Sequence, residues 1–266
     1  MTIAILGYSG FLGSFLIKDV RLASSKKILP SRSASSYLQS GEDLIIPFKD
    51  AFRAIREMKP EVIVNLIGVL REKERGEYRQ AHVQTTLSLA EAASSYSGAR
   101  IVQISALGGS ADCRSEYFRT KREAEDILLK SGIETVILRP GIIFGEGQKF
   151  FSDLKKIASF LPFILCPDSS LAVSAINETV DAVIKAANGE IRPGIYEVYS
   201  EIISYKDFSQ RSLSFLRISR KVFTVPPFFL LPAAIAGELT EMSPLNIEQY
   251  RMLSCTALPS GKYPRI

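Results

Sequence analysis

The chain has 266 residues, 46% of them hydrophobic and 23% charged, with a net charge of +5. That balance is typical of a globular protein, enough for one large α/β domain or one domain with a small appendage. No stretch reaches the roughly 18 uninterrupted apolar residues of a membrane-spanning helix. The cations are dispersed, with no arginine-rich cluster and interleaved aromatics, which argues against nucleic acid as a partner. The sequence opens directly on a strand-like run with no signal or transit segment before it, so a cytoplasmic location is expected. Cys113, Cys166 and Cys255 form no CxxC pair, and the single histidine, His82, has no companions for a ligand set. No metal is expected, and the thiols read as buried or incidental.

Over the first 145 residues, short apolar runs alternate with amphipathic stretches. Strands are predicted at 3–6, 28–29, 43–47, 62–66, 101–105 and 135–138. Helices are predicted after the first strand (carrying Phe11, Leu12, Phe15 and Leu16) and at 51–57, 78–94 and 118–130. Strands separated by helices imply right-handed βαβ units, and so an α/β fold with a Rossmann-type doubly wound parallel sheet. Beyond Gly145 the rhythm changes. Helices are expected near 151–160, 177–187, 206–216 and 246–254, with short strands at 195–198 and 222–225. Residues 1–145 are therefore read as a Rossmann domain, and 146–266 as a smaller mixed α/β lobe on the substrate side, interleaved with it.

The segment Gly7-Tyr8-Ser9-Gly10-Phe11-Leu12-Gly13 follows a buried strand and opens a helix. In such a turn the first glycine permits the tight bend, the second admits a pyrophosphate, and the third lets helix and strand pack closely. Backbone N–H groups at the helix start then hold the anion. Gly7, Ser9, Gly10, Phe11, Leu12 and Gly13 are the candidate contacts to a nicotinamide dinucleotide. An NAD-preferring site places an acid about 20 residues further on, for the ribose 2′-hydroxyl. Here the sequence reads Leu29-Pro30-Ser31-Arg32-Ser33, with a guanidinium and two hydroxyls instead. Arg32 is thus a candidate reader of a 2′-phosphate, and NADP(H) is favoured over NAD(H). The alternative is a solvated loop arginine.

Ser105 closes the fifth predicted strand, where ligands of α/β sheets gather. Tyr117 and Lys121 follow at i and i+4 on one helical face. A free tyrosine titrates near pH 10, so a nearby ammonium is expected to lower its pKa and make it a useful proton donor and acceptor. Tyr117 would pass a proton to a substrate oxygen as the nicotinamide passes hydride, with Ser105 bonded to the same oxygen. In a chain with 10 tyrosines, a single Tyr-x-x-x-Lys is close to what chance supplies. Its position carries the meaning.

These segments resemble the atypical and extended short-chain dehydrogenase/reductases over nearly the whole chain. The nearest branch is the one containing the nucleotide-binding accessory subunit of respiratory complex I. The resemblance rests on 7–13, Val64-Asn65-Leu66-Ile67-Gly68, Ile104-Ser105-Ala106-Leu107-Gly108, Tyr117 and Lys121 with Glu123-Ala124-Glu125, and Leu138-Arg139-Pro140-Gly141-Ile142-Ile143-Phe144-Gly145. It implies that Asn65, Leu66, Ile67 and Gly68 line the nucleotide path, that Pro140 and Gly141 lie at the nicotinamide end, and that Lys121 reaches the nicotinamide ribose. The acid that often follows the third strand in this family is replaced by Phe48-Lys49, with Asp50 one step later.

Residues 222–236 read VFTVPPFFLLPAAIA, preceded by Arg217, Arg220 and Lys221. Fifteen residues with three prolines cannot span a bilayer. A strand followed by a buried helix of the substrate lobe is the preferred reading. The other is an apolar surface for a lipid-like substrate, a quinone, a peripheral membrane contact at the inner face, or a partner subunit. The expected function is an NAD(P)(H)-dependent oxidoreductase of carbonyl or alcohol groups, or a sugar-nucleotide epimerase or reductase, acting on a small molecule through Ser105, Tyr117 and Lys121. The rival is a non-catalytic NADP(H)-binding accessory subunit or redox sensor. Oligomeric state is left open.

Overall fold

The computed structural model describes residues 1–109, 113–239, 245–255 and 258–266. In chain order the strands and helices are β1 (Thr2–Leu6), α1 (Phe11–Leu16), β2 (Lys26–Ser31), β3 (Leu38–Ser40), β4 (Asp43–Pro47), α2 (Ala51–Met58) and β5 (Val62–Asn65). Next come α3 (Thr85–Ala93), β6 (Arg100–Ile104), α4 (Glu116–Lys130), β7 (Glu134–Pro140), β8 (Ile142–Phe144) and α5 (Lys149–Phe160). The remainder is β9 (Phe163–Pro167), β10 (Ser170–Ala175), α6 (Ile176–Ala187), β11 (Gly194–Val198), β12 (Glu201–Ser204), α7 (Tyr205–Phe215), β13 (Lys221–Val225), α8 (Leu231–Leu239) and α9 (Ile247–Ser254).

Eight strands form the main sheet in the order β11-β7-β6-β5-β1-β2-β4-β3, parallel except for the edge strand β3. This is the doubly wound α/β sheet that the sequence predicts. The chain winds outward from β1 through β2 and β4, then reverses through β5, β6 and β7. The reversal leaves a crevice beyond the carboxyl ends of β1 and β5, where ligands of such sheets bind. Side chains alternate across the sheet. Ile3 and Ile5 pack towards α1 and α6 with Val64, Val102 and Leu138, while Ala4 and Leu6 face α2, α3 and α4 with Ile63 and Ile101. Two smaller sheets, β12-β10-β8 and β13-β9, complete the later part of the chain.

Three expectations need correction. The single helix expected over 78–94 is interrupted, with residues 79–84 forming a π-helical turn ahead of α3. Such widened turns relieve local packing and concentrate near functional sites. Cys113 and Cys255 are not incidental thiols: they form a disulfide across a sequence separation of 142, while Cys166 is free and buried. Finally, 222–236 does contain a strand and a helix, but it is not buried. Val222, Leu230 and Ala234 point inward, whereas Phe223, Phe228, Phe229, Leu231 and Ile235 are exposed. β13 pairs with β9 alone in a two-stranded sheet, and among the described residues these side chains are left exposed.

Candidate functional site

At the head of the crevice, Gly7 takes the left-handed region at φ +81°, and a Cβ there would lie 3.1 Å from the carbonyl carbon of Leu66. A Cβ on Gly13 would lie 2.5 Å from the carbonyl oxygen of Gly7 and from Cα of Tyr8. Both glycines are therefore required by close backbone approach, and Gly13 lets α1 sit directly on the turn. Gly10 is different. It caps α1 in extended backbone with no side chain bonded to the first turn. Ser9 and Gly10 are exposed at the mouth, while the Leu12 side chain belongs to the core and leaves only its backbone for a ligand. The first-turn N–H groups of a helix have no intrahelical acceptor. A side-chain-free cradle bearing free N–H donors fits a pyrophosphate.

Arg32 follows β2, is exposed, and pairs with no described residue. The neighbouring hydroxyls of Ser31 and Ser33 are bonded to each other at 2.9 Å. Asn65 at the end of β5 is buried. Its amide donates to Gln103 Oε1 at 2.8 Å, and its oxygen accepts from the Ile67 N–H at 3.2 Å. Asn65 thus shapes the 65–68 loop from beneath, and the loop backbone forms the crevice wall. Gly141 is fixed by strand packing, since a Cβ would lie 2.4 Å from the carbonyl oxygen of Ala172. The Pro140 carbonyl accepts from the Leu107 N–H at 2.8 Å, tying β7 to the loop after Ser105.

Lys121, buried on α4, donates to the carbonyls of Ile67 at 3.3 Å and Ile104 at 3.1 Å. Its ammonium would lie 3.2 Å from a Cβ on Gly68, so glycine at 68 keeps the space above it open. An ammonium has three donors, and one remains for a ligand in the crevice. Burial lowers the Lys121 pKa to about 8, with the Glu125 carboxylate working against that shift. One helical turn earlier, the Tyr117 ring is buried edge-on against Tyr78, His82 and Phe118 at centroid distances of 5.9, 5.5 and 5.2 Å. Its hydroxyl bonds to no described residue and is not among the fully enclosed polar atoms. Burial pushes its pKa up to about 12, with Arg122 opposing. The expected lowering by Lys121 does not occur, because desolvation of the phenolate outweighs any nearby positive charge.

Ser105 also departs from expectation. Its Oγ donates to Glu125 Oε1, and Glu125 is 2% exposed and holds Arg122 and Arg139. Arg122 reaches on to the carbonyls of Ala106 and Gly108, and Arg139 lies over the Tyr263 ring at 4.5 Å. A serine hydroxyl has one proton. Here that proton is donated to Glu125 within the ion cluster, so the hydroxyl has no second proton to donate.

Sequence reasoning missed the residues that support this site. His82 Nε2 accepts from the Val69 N–H at 3.3 Å, which places the ring proton on Nδ1, facing Thr120 Oγ1 at 2.8 Å. Tyr78 donates to the Leu70 carbonyl at 3.0 Å. Glu248 on α9 accepts from Ser115 Oγ at 2.6 Å and the Tyr117 N–H at 3.0 Å, beside the Cys113–Cys255 bond. Tyr78 and His82 fall within the helix predicted over 78–94, and Glu248 within the one near 246–254, but nothing in those stretches marks them as supports of the site.

Several known proteins are similar to this chain. Among curated relatives, NADH dehydrogenase (ubiquinone) 1 alpha subcomplex subunit 9, mitochondrial, of Arabidopsis thaliana is 29% identical over 175 residues, 60% of this chain and 43% of that protein. The mitochondrial protein FMP52 of Candida albicans is 25% identical over 212 residues, 72% of this chain and 92% of its own length. The chain matches less than half the length of the NADH dehydrogenase subunits it resembles. Among solved structures, a dTDP-4-dehydrorhamnose reductase from Clostridium acetobutylicum superposes with a TM-score of 0.68 at 20% identity, covering 96% of this chain and 98% of that one. A Bacillus cereus UDP-glucuronic acid 4-epimerase, in complex with UDP-glucuronic acid and NAD, also gives 0.68, at 15% identity and 85% and 86% coverage. Residues 3–165 match a family profile covering more than half of the chain, and the protein belongs to the NAD dependent epimerase/dehydratase family.

Proposed function

We propose that the chain is an NADP(H)-preferring oxidoreductase that reduces a carbonyl group on a small molecule, with Tyr117 as proton donor and Lys121 as the residue that orients the cofactor ribose. The observation that carries this reading is the Tyr117 hydroxyl. It bonds to no described residue, and it lies one turn from an ammonium that has a donor to spare beside Gly68. Gly7, Gly10 and Gly13 would cradle the pyrophosphate, the 65–68 loop would line the nucleotide path, and Arg32 would take the 2′-phosphate. When bound, the reduced nicotinamide supplies hydride. A phenol titrating near 12 is fully protonated at neutral pH, so Tyr117 enters as an acid and reduction is its natural direction. Ser105 acts here as a positioning residue, bracing the ends of β6 and β7 through Glu125 and Arg139.

A non-catalytic accessory subunit is the second reading. The Ser105 proton held by Glu125 favours it, and so does similarity to NADH dehydrogenase subunits, which supports contact with partner subunits. The relatives are named as mitochondrial, so the cytoplasmic expectation finds no support among them. NADPH oxidation over a panel of ketones, quinones and 4-keto nucleotide sugars separates the two. Turnover that falls by roughly 10²- to 10⁴-fold in Tyr117→Phe, with NADPH affinity kept, supports the enzyme. Tight NADPH binding with no turnover on any substrate supports the subunit. Full activity in Tyr117→Phe removes the catalytic assignment.

A further inference from the structure

The bond between Cys113 and Cys255 joins the segment before α4 to the end of α9. Its two halves sit in different surroundings. Cys255 is 3% exposed and packs with Tyr78, Tyr117 and Phe118, with Met252 of α9 against the same cluster. Cys113 is half-buried and lines an open groove along α4, together with Phe118, Arg119, Arg122 and Asp126. Exchange with an external thiol needs a thiolate to reach one sulfur, and exposed bonds are the labile ones. The groove at Cys113 supplies that access.

What the bond holds is the start of α4. Ser115 caps that helix and accepts from the Phe118 N–H at 3.4 Å. Glu248 of α9 in turn accepts from Ser115 Oγ at 2.6 Å and from the Tyr117 N–H at 3.0 Å. Helix α9 has only eight residues, and the residue pinned by the bond follows its last turn. A helix that short does not hold itself in water and depends on its tertiary ties.

We propose that Cys113–Cys255 is a thiol–disulfide exchange site for an external dithiol, and that its reduction frees α9 and withdraws Glu248 from the start of α4. A thiolate of the dithiol attacks Cys113 Sγ and forms a mixed disulfide. The Cys113–Cys255 bond breaks with its electron pair on Cys255, which takes a proton. The second thiolate of the dithiol then attacks its partner sulfur in the mixed disulfide, and Cys113 leaves as a thiolate that the nearby N-terminus of α4 steadies until it is protonated. The bond is reduced by two electrons, the dithiol is oxidised to its own disulfide, and its two protons pass through solvent to the cysteines. Resting on the proposed function, the consequence is that the reduced form keeps the nucleotide cradle, loses the fixed seat of Tyr117, and turns over slowly.

The test treats the folded full chain with dithiothreitol, labels free thiols with iodoacetamide, and follows amide exchange by mass spectrometry. Cys113 and Cys255 should be labelled while the buried Cys166 is not, with thermal unfolding still cooperative. Exchange should quicken about tenfold or more at 116–121 and 248–254 and stay unchanged at 3–13 and 62–68. NADPH affinity should hold within about twofold while turnover falls roughly tenfold to a hundredfold. Oxidised glutathione should reverse each change, and Cys113→Ser/Cys255→Ser should match the reduced wild type and ignore dithiothreitol. Labelling that requires denaturant, or that comes only together with Cys166, overturns the proposal. So does reduction that leaves exchange at 116–121 unaltered or loosens 3–13 to the same extent. Labelling and exchange decide the matter without any turnover to read. Quickened exchange with unaltered turnover supports the exchange site and removes Tyr117 as proton donor instead.

Discussion

Gly10→Asp separates cofactor binding from folding, because the three turn glycines are glycine for different reasons. Gly10 lies at φ −76° and ψ 178°, extended backbone open to any residue, and a Cβ there would meet only the Gly7 carbonyl oxygen, at 3.2 Å. Aspartate is among the preferred N-cap residues, so stability should change by less than about 1 kcal/mol. The new carboxylate, however, stands at the mouth of the cradle. At about 4 Å from a pyrophosphate charge, with an effective dielectric of about 20, repulsion is about 4 kcal/mol. Discounted for salt at an open site, it falls to about 2–4 kcal/mol, or roughly 30- to 1000-fold in Kd. NADPH fluorescence titration reads the affinity, and thermal unfolding confirms the fold. Gly13→Ala is the wrong variant for this purpose. Its Cβ would sit 2.5 Å from three backbone atoms, and overpacking of that kind costs about 1–3 kcal/mol, so lost binding would follow from damaged structure. A folded Gly10→Asp protein with wild-type NADPH affinity would refute the placement of the pyrophosphate.

Arg32→Ala should weaken NADPH roughly tenfold to a hundredfold and leave NADH unchanged, since a charge-assisted pair to the 2′-phosphate is worth about 1.5–3 kcal/mol. Loss of both nucleotides alike, or equal wild-type affinities, would show that Arg32 does not read the phosphate. The second prediction concerns acid stability. Burial, with the Lys121 charge added, holds the His82 pKa down to about 2 from an ordinary 6.5. The folded state refuses a proton that the unfolded chain binds below pH 6.5, so this contribution is fully present above that pH and fades as pH falls. The loss is about 2 kcal/mol at pH 5. Urea unfolding at pH 5, 6 and 7.5 should show it, and His82→Gln should flatten the profile. Parallel profiles for wild type and variant would rule out His82 as the source.

What could be read in the sequence follows from range. The turn at 7–13 and the strands around it carry their signal locally: a buried run, glycines at fixed spacing, then a helix. The later sheets do not. Strand β9 reads Phe-Ile-Leu-Cys-Pro, apolar on both faces, so no period of two separates inside from outside. Its partner β13 lies more than fifty residues away, and neither the pairing nor the uncovered face can be inferred from spacing. The Cys113–Cys255 bond and the Glu125 contacts to Ser105 and Arg139 likewise join residues whose proximity only the tertiary fold creates. Helical spacing puts Tyr117 and Lys121 on one face of α4. It does not give the direction of the tyrosine shift, because burial depends on Tyr78, His82 and Phe118 arriving from other elements or turns.

That burial also sets the proposed nucleotide cradle apart from the proposed proton donor. The cradle is backbone, held by close approach among β1, α1 and the 65–68 loop, and Asn65 and Lys121 support it from below. The donor depends on more of the chain. Tyr117 is the second residue of α4, and its N–H and the Ser115 hydroxyl are both held by Glu248 of α9, which is tethered through Cys113–Cys255. On the proposed reading, nucleotide binding draws on the cradle and Lys121, whereas the placing of Tyr117 also draws on α9. Residues outside 3–165, the stretch matched to the family, thus set the Tyr117 backbone. On the proposed reading, that seat fixes the Tyr117 ring so that its hydroxyl, which bonds to no described residue, is held in place for proton delivery.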